Sequence, residues 1–475
     1  MKSLSKNYLY NLSYQILTLL TPLITTPYIS RTLGVGGIGE YSFSYSIVAY
    51  FVLLAQFGIA NFGQREIAYH QENKEAQSRI FFETISFQIL TVSLSLVCYY
   101  ILGIEWGVDS QIYWVQALNI VAVLFDVSWF FQGLEEFGKI VTRNFIVRLA
   151  NIAFLFLFIK SPDDLILYTF IMGGMNVVSG ILICLFLKDY IHRVPLNEIH
   201  PFRNWLPIFQ LFLPQIAIQI YVVLDKTMLG FMANDFTENG YYEQADKIIK
   251  MLLTIATSLG TVMLPRMASM VAKGEMETVK KFMMNSYRFS FFLTIPMSFG
   301  LITVAPNFVP WFFGPGYEPV FSVLAIISTM LIAVGISNVT GIQFMIPTNR
   351  QNQLTLSVIV GAIFNFAVNL YLIPHFYSTG VAIATVLTEW LVTFVQFYLV
   401  KDFFKVSDIL SQGKNYLLGG LVMLVITGTI SYYLTPSIIH SLFITLVGCG
   451  VYGSILVILK DEMVFLFLDK VKAKF

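Results

Sequence analysis

An all-α membrane protein with about fourteen transmembrane helices is the fold class this sequence predicts, on three observations. The chain of 475 residues is 56% hydrophobic and only 12% charged, against about 25% charged in soluble domains, and its mean hydropathy is +0.72. Apolar windows long enough to cross the hydrocarbon core recur from residue 7 to residue 459. Between them the basic residues fall in alternate loops. A net charge of +1 gives no cause to expect a nucleic-acid partner; the lipid bilayer is the expected surrounding.

In chain order the spans are expected at 7–29, 41–62, 80–102, 111–131, 144–159, 165–187, 206–231, 248–268, 289–310, 318–346, 354–375, 378–400, 415–435 and 438–459. The fifth is short and the tenth long. Unbroken apolar runs exclude the period-2 alternation of a barrel, so each span satisfies its own backbone as a helix. The first span follows the basic start MKSLSK but runs past signal length, contains Pro22 and Pro27, and lacks an A-x-A cleavage pattern, so it reads as a retained helix. Cys98, Cys184 and Cys449 fall inside spans without disulfide or metal spacing and read as packing residues.

Basic residues mark the cytoplasmic side. With the N-terminus inside, all but five of the 29 Lys and Arg residues lie on inner segments, which places both termini in the cytoplasm. The exceptions are Arg31, Lys160, Lys226, Lys247 and Lys250. Lys160 stands beside Asp163 and Asp164, and a solvated local pair accounts for it. The other four need a reason.

A duplicated six-helix unit supplies one. ISRTLG is followed by GEYSFSYSI with Arg65 26 residues after Gly39, and LDKTMLG is followed by GYYEQADKI with Arg266 26 residues after Gly240. In this register Arg31 answers to Lys226 and Ser46 to Lys247, with a longer outer loop after span 7. The expected organisation is an N-terminal six-helix lobe over 1–200, a second over 201–408, and two extra helices with a cytoplasmic tail over 409–475. Arg31, Lys226, Lys247 and Lys250 are then expected to meet across the lobe interface, where repeat-built transporters bind substrate. The bland account is local pairing: Asp225 adjoins Lys226, and Glu243 and Asp246 stand four residues before Lys247 and Lys250. Long basic side chains near helix ends also snorkel cheaply. Against it, a charge within a membrane helix costs about 2.5–3.5 kcal/mol on insertion scales, and both halves accept one at matching places.

The stretch NYLYNLSYQILTLLTPLITTPYISRTLGVGGIGEYSFSYSIVAYFVLLAQFGIANFGQREIA resembles the start of bacterial oligosaccharide-lipid flippases of the O-antigen and capsule type. DVSWFFQGLEEFGKIVTRN, from Asp126, and YVVLDKTMLG, from Tyr221, resemble two further recurrent stretches of that family, and the resemblance covers roughly residues 5–400. The family belongs to the multidrug, oligosaccharidyl-lipid and polysaccharide superfamily. The resemblance implies two six-helix lobes around a central cavity, alternating access, and a sugar repeat unit on undecaprenyl diphosphate moved from the cytoplasmic to the outer leaflet of the bacterial cytoplasmic membrane. Fourteen spans are closer to the lipid II branch of the superfamily than to many sugar flippases, and the extra pair could there form a groove for the lipid tail.

An anionic diphosphate suits Arg and Lys, which meet its oxygens by charge-assisted hydrogen bonds. The substrate-binding candidates are Arg31, Lys226, Lys247, Lys250, Asp225 and Tyr45. Interior Tyr14, Gln15, Ser44, Gln215, Gln219, Asn365 and Asn369 could join Tyr45 on sugar hydroxyls, although each alone reads as helix-to-helix hydrogen bonding. Glu389, near the middle of span 12, is either protonated and hydrogen-bonded or part of a cation pathway. Asp126, near Glu135, Glu136, Lys139 and Arg143, reads as structural.

GVGGIG from Gly34 matches a dinucleotide fingerprint only formally, since it follows a membrane helix rather than a strand, and it reads as a turn. Without a Walker A, H-E-x-x-H or C-x-x-C sequence no cofactor is expected. The driving force is open between membrane potential, a sodium or proton gradient, and downstream consumption. Polysaccharide polymerase and glycosyltransferases are candidate partners in the pathway. Two other functions compete: a cation-coupled multidrug extruder, which wants acidic groups in its cavity, and a membrane polymerase or glycosyltransferase, which wants a sizeable outer loop. The longest outer segment is expected around 232–247.

Overall fold

The computed structural model describes residues 4–105, 111–233 and 235–465, and among them there is no strand. By contacts the chain divides into two compact units, Met1–Thr227 and Met228–Phe475.

The first unit begins with α1 (Leu4–Gln56), α2 (Ile59–Tyr69), α3 (Lys74–Glu105), α4 (Gln111–Gln116), α5 (Leu118–Phe125) and α6 (Ser128–Gly133). It continues through α7 (Phe137–Phe158), α8 (Leu165–Cys184) and most of α9 (Trp205–Met232). The second holds α10 (Thr237–Ala272), α11 (Met276–Phe313), α12 (Val320–Ile327), α13 (Met330–Asn338), a π-helical turn at Val339–Met345, α14 (Gln351–Leu399), α15 (Val406–Ser411), α16 (Lys414–Tyr433) and α17 (Ile438–Ile458).

Ten segments among the described residues are long and apolar enough to cross a membrane. Two of them, Leu20–Tyr69 and Gln351–Leu399, have 50 and 49 residues, over twice the roughly 20 a bilayer needs. The helix breaks at Gly34 (φ 72°) within α1, before a further turn at Phe57 and Gly58, and at Tyr377 (φ 48°) within α14. Counting both halves of each, and adding α9 and α10 over the seventh and eighth expected spans, gives the fourteen helices read from the sequence.

Boundaries differ where charge or polarity hid a helix. The GVGGIG turn shrinks to Gly34 alone, with helix resuming directly after it. The fifth span is not short: α7 starts at Phe137, and Arg143, Asn144 and Arg148 had masked its first turns. The long outer loop expected around 232–247 does not exist. α10 begins at Thr237, and Asn239, Tyr242, Glu243, Gln244 and Asp246 are buried helix residues rather than loop residues. Polar side chains that a bundle buries against other polar groups read as a loop in hydropathy.

The second span ends at Gln56, where Phe57 (φ 43°) and Gly58 (φ 80°) turn the chain into the separate helix α2. Glycine is required at 58 twice over, by its left-handed backbone and because a Cβ there would lie 2.6 Å from the Ile208 carbonyl oxygen at the base of α9. At Gly63 the indole of Trp129 occupies the place a Cβ would take, at 2.3 Å, and the Gln71 side-chain amide donates to the Gly133 carbonyl at 2.8 Å. Two of the stretches that carry the family resemblance thus pack on each other as a joint between α2 and α6. Asp126 is structural as expected: its carboxylate accepts from Ser128 N and Oγ (3.1 and 2.5 Å), and Arg143 donates to the same hydroxyl at 2.9 Å.

In the second unit one core joins Met267, Tyr287, Phe344, Phe397, Tyr416 and Leu456. α16 and α17 belong to it. Asn307 donates to Ser431 Oγ at 2.7 Å, Trp311 to Ser441 Oγ at 2.8 Å, and Tyr452 to the Phe292 carbonyl at 3.1 Å.

Candidate functional site

In the first unit the Asp225–Lys226 pair lies where α9 docks on the second half of α1. Thr227, the next residue, accepts from the Tyr50 hydroxyl at 3.1 Å and donates to Ser46 Oγ at 3.0 Å. Ser46 and Tyr50 are one helical turn apart, so two rungs of α1 grip one hydroxyl of α9. Asp225 is buried and Lys226 half-buried. Tyr45, adjoining Ser46, is 44% exposed and stacks on Tyr41 with ring centroids 6.0 Å apart. Arg31 is exposed on α1, three residues before the Gly34 break.

In the second unit Lys247 and Lys250 are interior helix residues of α10. The pairing that their spacing allowed is realised: Lys247 Nζ lies 3.3 Å from Glu243 Oε1, and Lys250 Nζ 2.7 Å from Asp246 Oδ2. One turn away Tyr242 shares a hydrogen bond with Thr385 of α14 at 3.2 Å. Glu389 is half-buried in the second half of α14, and Thr393 donates to its backbone carbonyl at 2.9 Å.

Of the interior polar candidates, Asn365 and Asn369 are buried, with Asn369 Nδ2 donating to Asn365 Oδ1 at 3.0 Å. Ser44 accepts from Gln116 at 3.0 Å and opens a chain that runs on through Asn119 (2.8 Å) to Asn176 (3.0 Å), crossing α1, α4, α5 and α8. Sequence reasoning missed Gln116, Asn119 and Asn176, although amides inside apolar windows were the available signal. Gln215 and Gln219 are half-buried on α9. The side chains of Tyr14 and Gln15 lie outside the described residues. Lys160 departs from its expected pairing: its ammonium donates to the Phe156 carbonyl and lies 5.8 Å from the Tyr28 ring centroid, while Asp164 accepts backbone N–H groups. Among the described residues no three His, Cys, Asp or Glu side chains cluster as a metal site.

The fold is that of a polytopic membrane transporter. Over 96% of this chain and 99% of the other it superposes on a structure titled "Lipid II flippase MurJ, inward closed conformation", with a TM-score of 0.73 at 15% sequence identity. The family model described as "Polysaccharide biosynthesis protein" matches residues 4–271, more than half of the sequence, and the chain belongs to that family. A curated Escherichia coli (strain K12) relative named "Putative O-antigen transporter" is 26% identical over 407 residues, 84% of this chain and 97% of its own length. A Haloferax volcanii relative named "Probable low-salt glycan biosynthesis flippase Agl15" is 20% identical over 393 residues, 81% of each chain. The relatives it matches are thus named as a transporter and a flippase, and its fold is that of the lipid II flippase structure.

Proposed function

We propose that this protein is a flippase for undecaprenyl-diphosphate-linked oligosaccharide repeat units, carrying them from the cytoplasmic to the outer leaflet of a bacterial cytoplasmic membrane by alternating access for O-antigen, capsule or related surface polysaccharide. The observation that carries the proposal is the set of basic side chains held within long helices of an apolar bundle, Arg31 and Lys226 in one unit and Lys247 and Lys250 in the other. Such charges are retained in membrane helices for function, and the names of the curated relatives supply the cargo class. Asp225 positions Lys226, and Tyr45 offers an exposed aromatic face and hydroxyl to sugar. Both termini are cytoplasmic, in keeping with the distribution of basic residues. A sodium or proton gradient or the membrane potential drives the cycle, with Glu389 as the coupling residue. Polymerase and glycosyltransferases work before and after it.

The multidrug alternative asks for acids committed to cations, whereas Glu243 and Asp246 each hold a lysine. The test is leaflet exchange of a lipid-linked oligosaccharide in vesicles containing the purified protein. Arg31→Ala and Lys226→Ala are each expected to slow exchange about 10- to 100-fold, the worth of a charged hydrogen bond, at unchanged yield of folded protein. Exchange at the wild-type rate in both variants overturns the assignment.

A further inference from the structure

We infer that Glu243 and Asp246 are built-in counter-anions of the substrate site, holding Lys247 and Lys250 while the site is empty and releasing them together only to a ligand with two adjoining phosphates. This rests on the assignment of the two lysines to the site.

The geometry has three parts. Residues 243 and 246 are three apart, as are 247 and 250, so the two ion pairs form neighbouring rungs on one face of α10. Within each rung burial is unequal: the acid side chains are 12% and 10% exposed, the lysines 33% and 52%. A carboxylate in that setting is fixed, whereas a lysine has a long flexible stem and three donors that turn readily to another acceptor. Lastly, a carboxylate and a phosphate offer an ammonium the same kind of anionic oxygen, so the acids occupy the lysines as a phosphate does.

Selectivity follows. A buried carboxylate stripped of its partner is strongly unfavourable, so a weak or singly charged anion cannot part a rung. A diphosphate bridges both lysines at once and recovers on two contacts what it displaces on two. On release the acids recapture the lysines, which prevents the site from holding its ligand too tightly to turn over.

The experiment uses the full chain in detergent, with inorganic pyrophosphate and inorganic phosphate as probes by calorimetry, beside the vesicle exchange assay. The wild type is expected to bind pyrophosphate in preference to phosphate. Glu243→Gln with Asp246→Asn is expected to bind pyrophosphate about tenfold or more tightly, on the scale measured for close charge pairs, to discriminate less against phosphate, and to show a lower KM together with a lower maximal exchange rate. Asp246→Glu, which keeps a carboxylate within reach, should behave as wild type and serves as the control should the double variant fold poorly. A folded double variant whose pyrophosphate affinity is unchanged or weaker overturns the counter-anion role. The underlying assignment fails separately, if Lys247→Gln with Lys250→Gln leaves pyrophosphate binding intact.

Discussion

The hairpin of α7 and α8 in the first unit and the hairpin formed by the two halves of α14 in the second each join two long helices through a short turn. Both are pinned at turn and base. In the first, the turn is closed largely by its own residues: Asp164 Oδ2 accepts the Lys160 and Ser161 N–H groups at 2.7 and 2.8 Å, completing a capping box with Pro162 in its first position. Tyr28 of α1 adds a 2.5 Å bond to the Ile159 carbonyl. In the second, Tyr377 takes a strained backbone (φ 48°, ψ −127°), and both Ser378 N and Ser378 Oγ donate to Glu238 at the start of α10, at 3.0 and 2.5 Å. The first turn closes its own backbone N–H groups locally; the second depends on a carboxylate 140 residues away. Movement of α10, the helix that carries Lys247 and Lys250, is therefore transmitted to the second hairpin, whereas the first is tied by Tyr28 to α1, the helix that carries Arg31.

The largest expected effect comes from forcing the second turn open. A Cβ at Gly380 would lie 2.5 Å from the Leu372 carbonyl oxygen, a backbone atom that cannot step aside. Gly380→Ala should cost about 1–3 kcal/mol or more, seen as a lower Tm and a smaller monodisperse fraction. In the first hairpin Gly174 of α8 has nothing within 4 Å of the added Cβ, so Gly174→Ala should be neutral or stabilise by up to about 1 kcal/mol. Equal losses in the two variants contradict the packing argument.

Next comes Glu238→Ala. It leaves the Ser378 N–H and hydroxyl without their charged acceptor, worth about 1.5–3 kcal/mol for the first such bond, and leaves Tyr377 strained without compensation. Amide exchange should accelerate both around residues 376–380 and at the start of α10, because the bond ties the two. Asp164→Ala should accelerate exchange only around its own turn. Unchanged exchange at Ser378 in the Glu238 variant removes the latch.

The same contrast explains what was legible beforehand. Local features showed through: the break between the eleventh and twelfth spans, and the i to i+4 spacing of Glu243 with Lys247 and Asp246 with Lys250. What failed was everything that depends on a distant partner. Glu238 and Asn239 read as outer loop because nothing near them in sequence shows Ser378 or the polar interior that receives α10. The grip on Thr227 was not legible because its partners, Ser46 and Tyr50, lie some 180 residues earlier. Hydropathy averages over neighbours in sequence, and a bundle satisfies polar groups with neighbours in space.

The smallest effect separates the bases of the two hairpins. In the first, the Lys139 ammonium donates to the Tyr190 hydroxyl at 2.6 Å and lies 3.9 Å from its ring centroid, a contact with no carboxylate. In the second, Arg350 grips both oxygens of Asp402 at 3.1 and 2.6 Å and the Leu399 carbonyl at 3.2 Å, tying the start of α14 to the residues just past its end. The Arg350 guanidinium holds the Asp402 carboxyl below its ordinary value of 3.8. A depressed carboxylate contributes its stability above the ordinary value and loses it as the pH falls through the depressed one. The base of α14 should therefore loosen as the pH falls below the ordinary carboxylate value, and the Lys139–Tyr190 contact at the base of α7 and α8 should not. Asp402 is 54% exposed, so solvent screening keeps the effect at about 1 kcal/mol or less, roughly a fivefold rise in amide exchange near residues 350–354 after correction for the intrinsic pH dependence. Asp402→Asn should reproduce that rise at neutral pH and abolish the further response to acid. An acid response of equal size at the first base, or one that survives Asp402→Asn, assigns the titration to some other group.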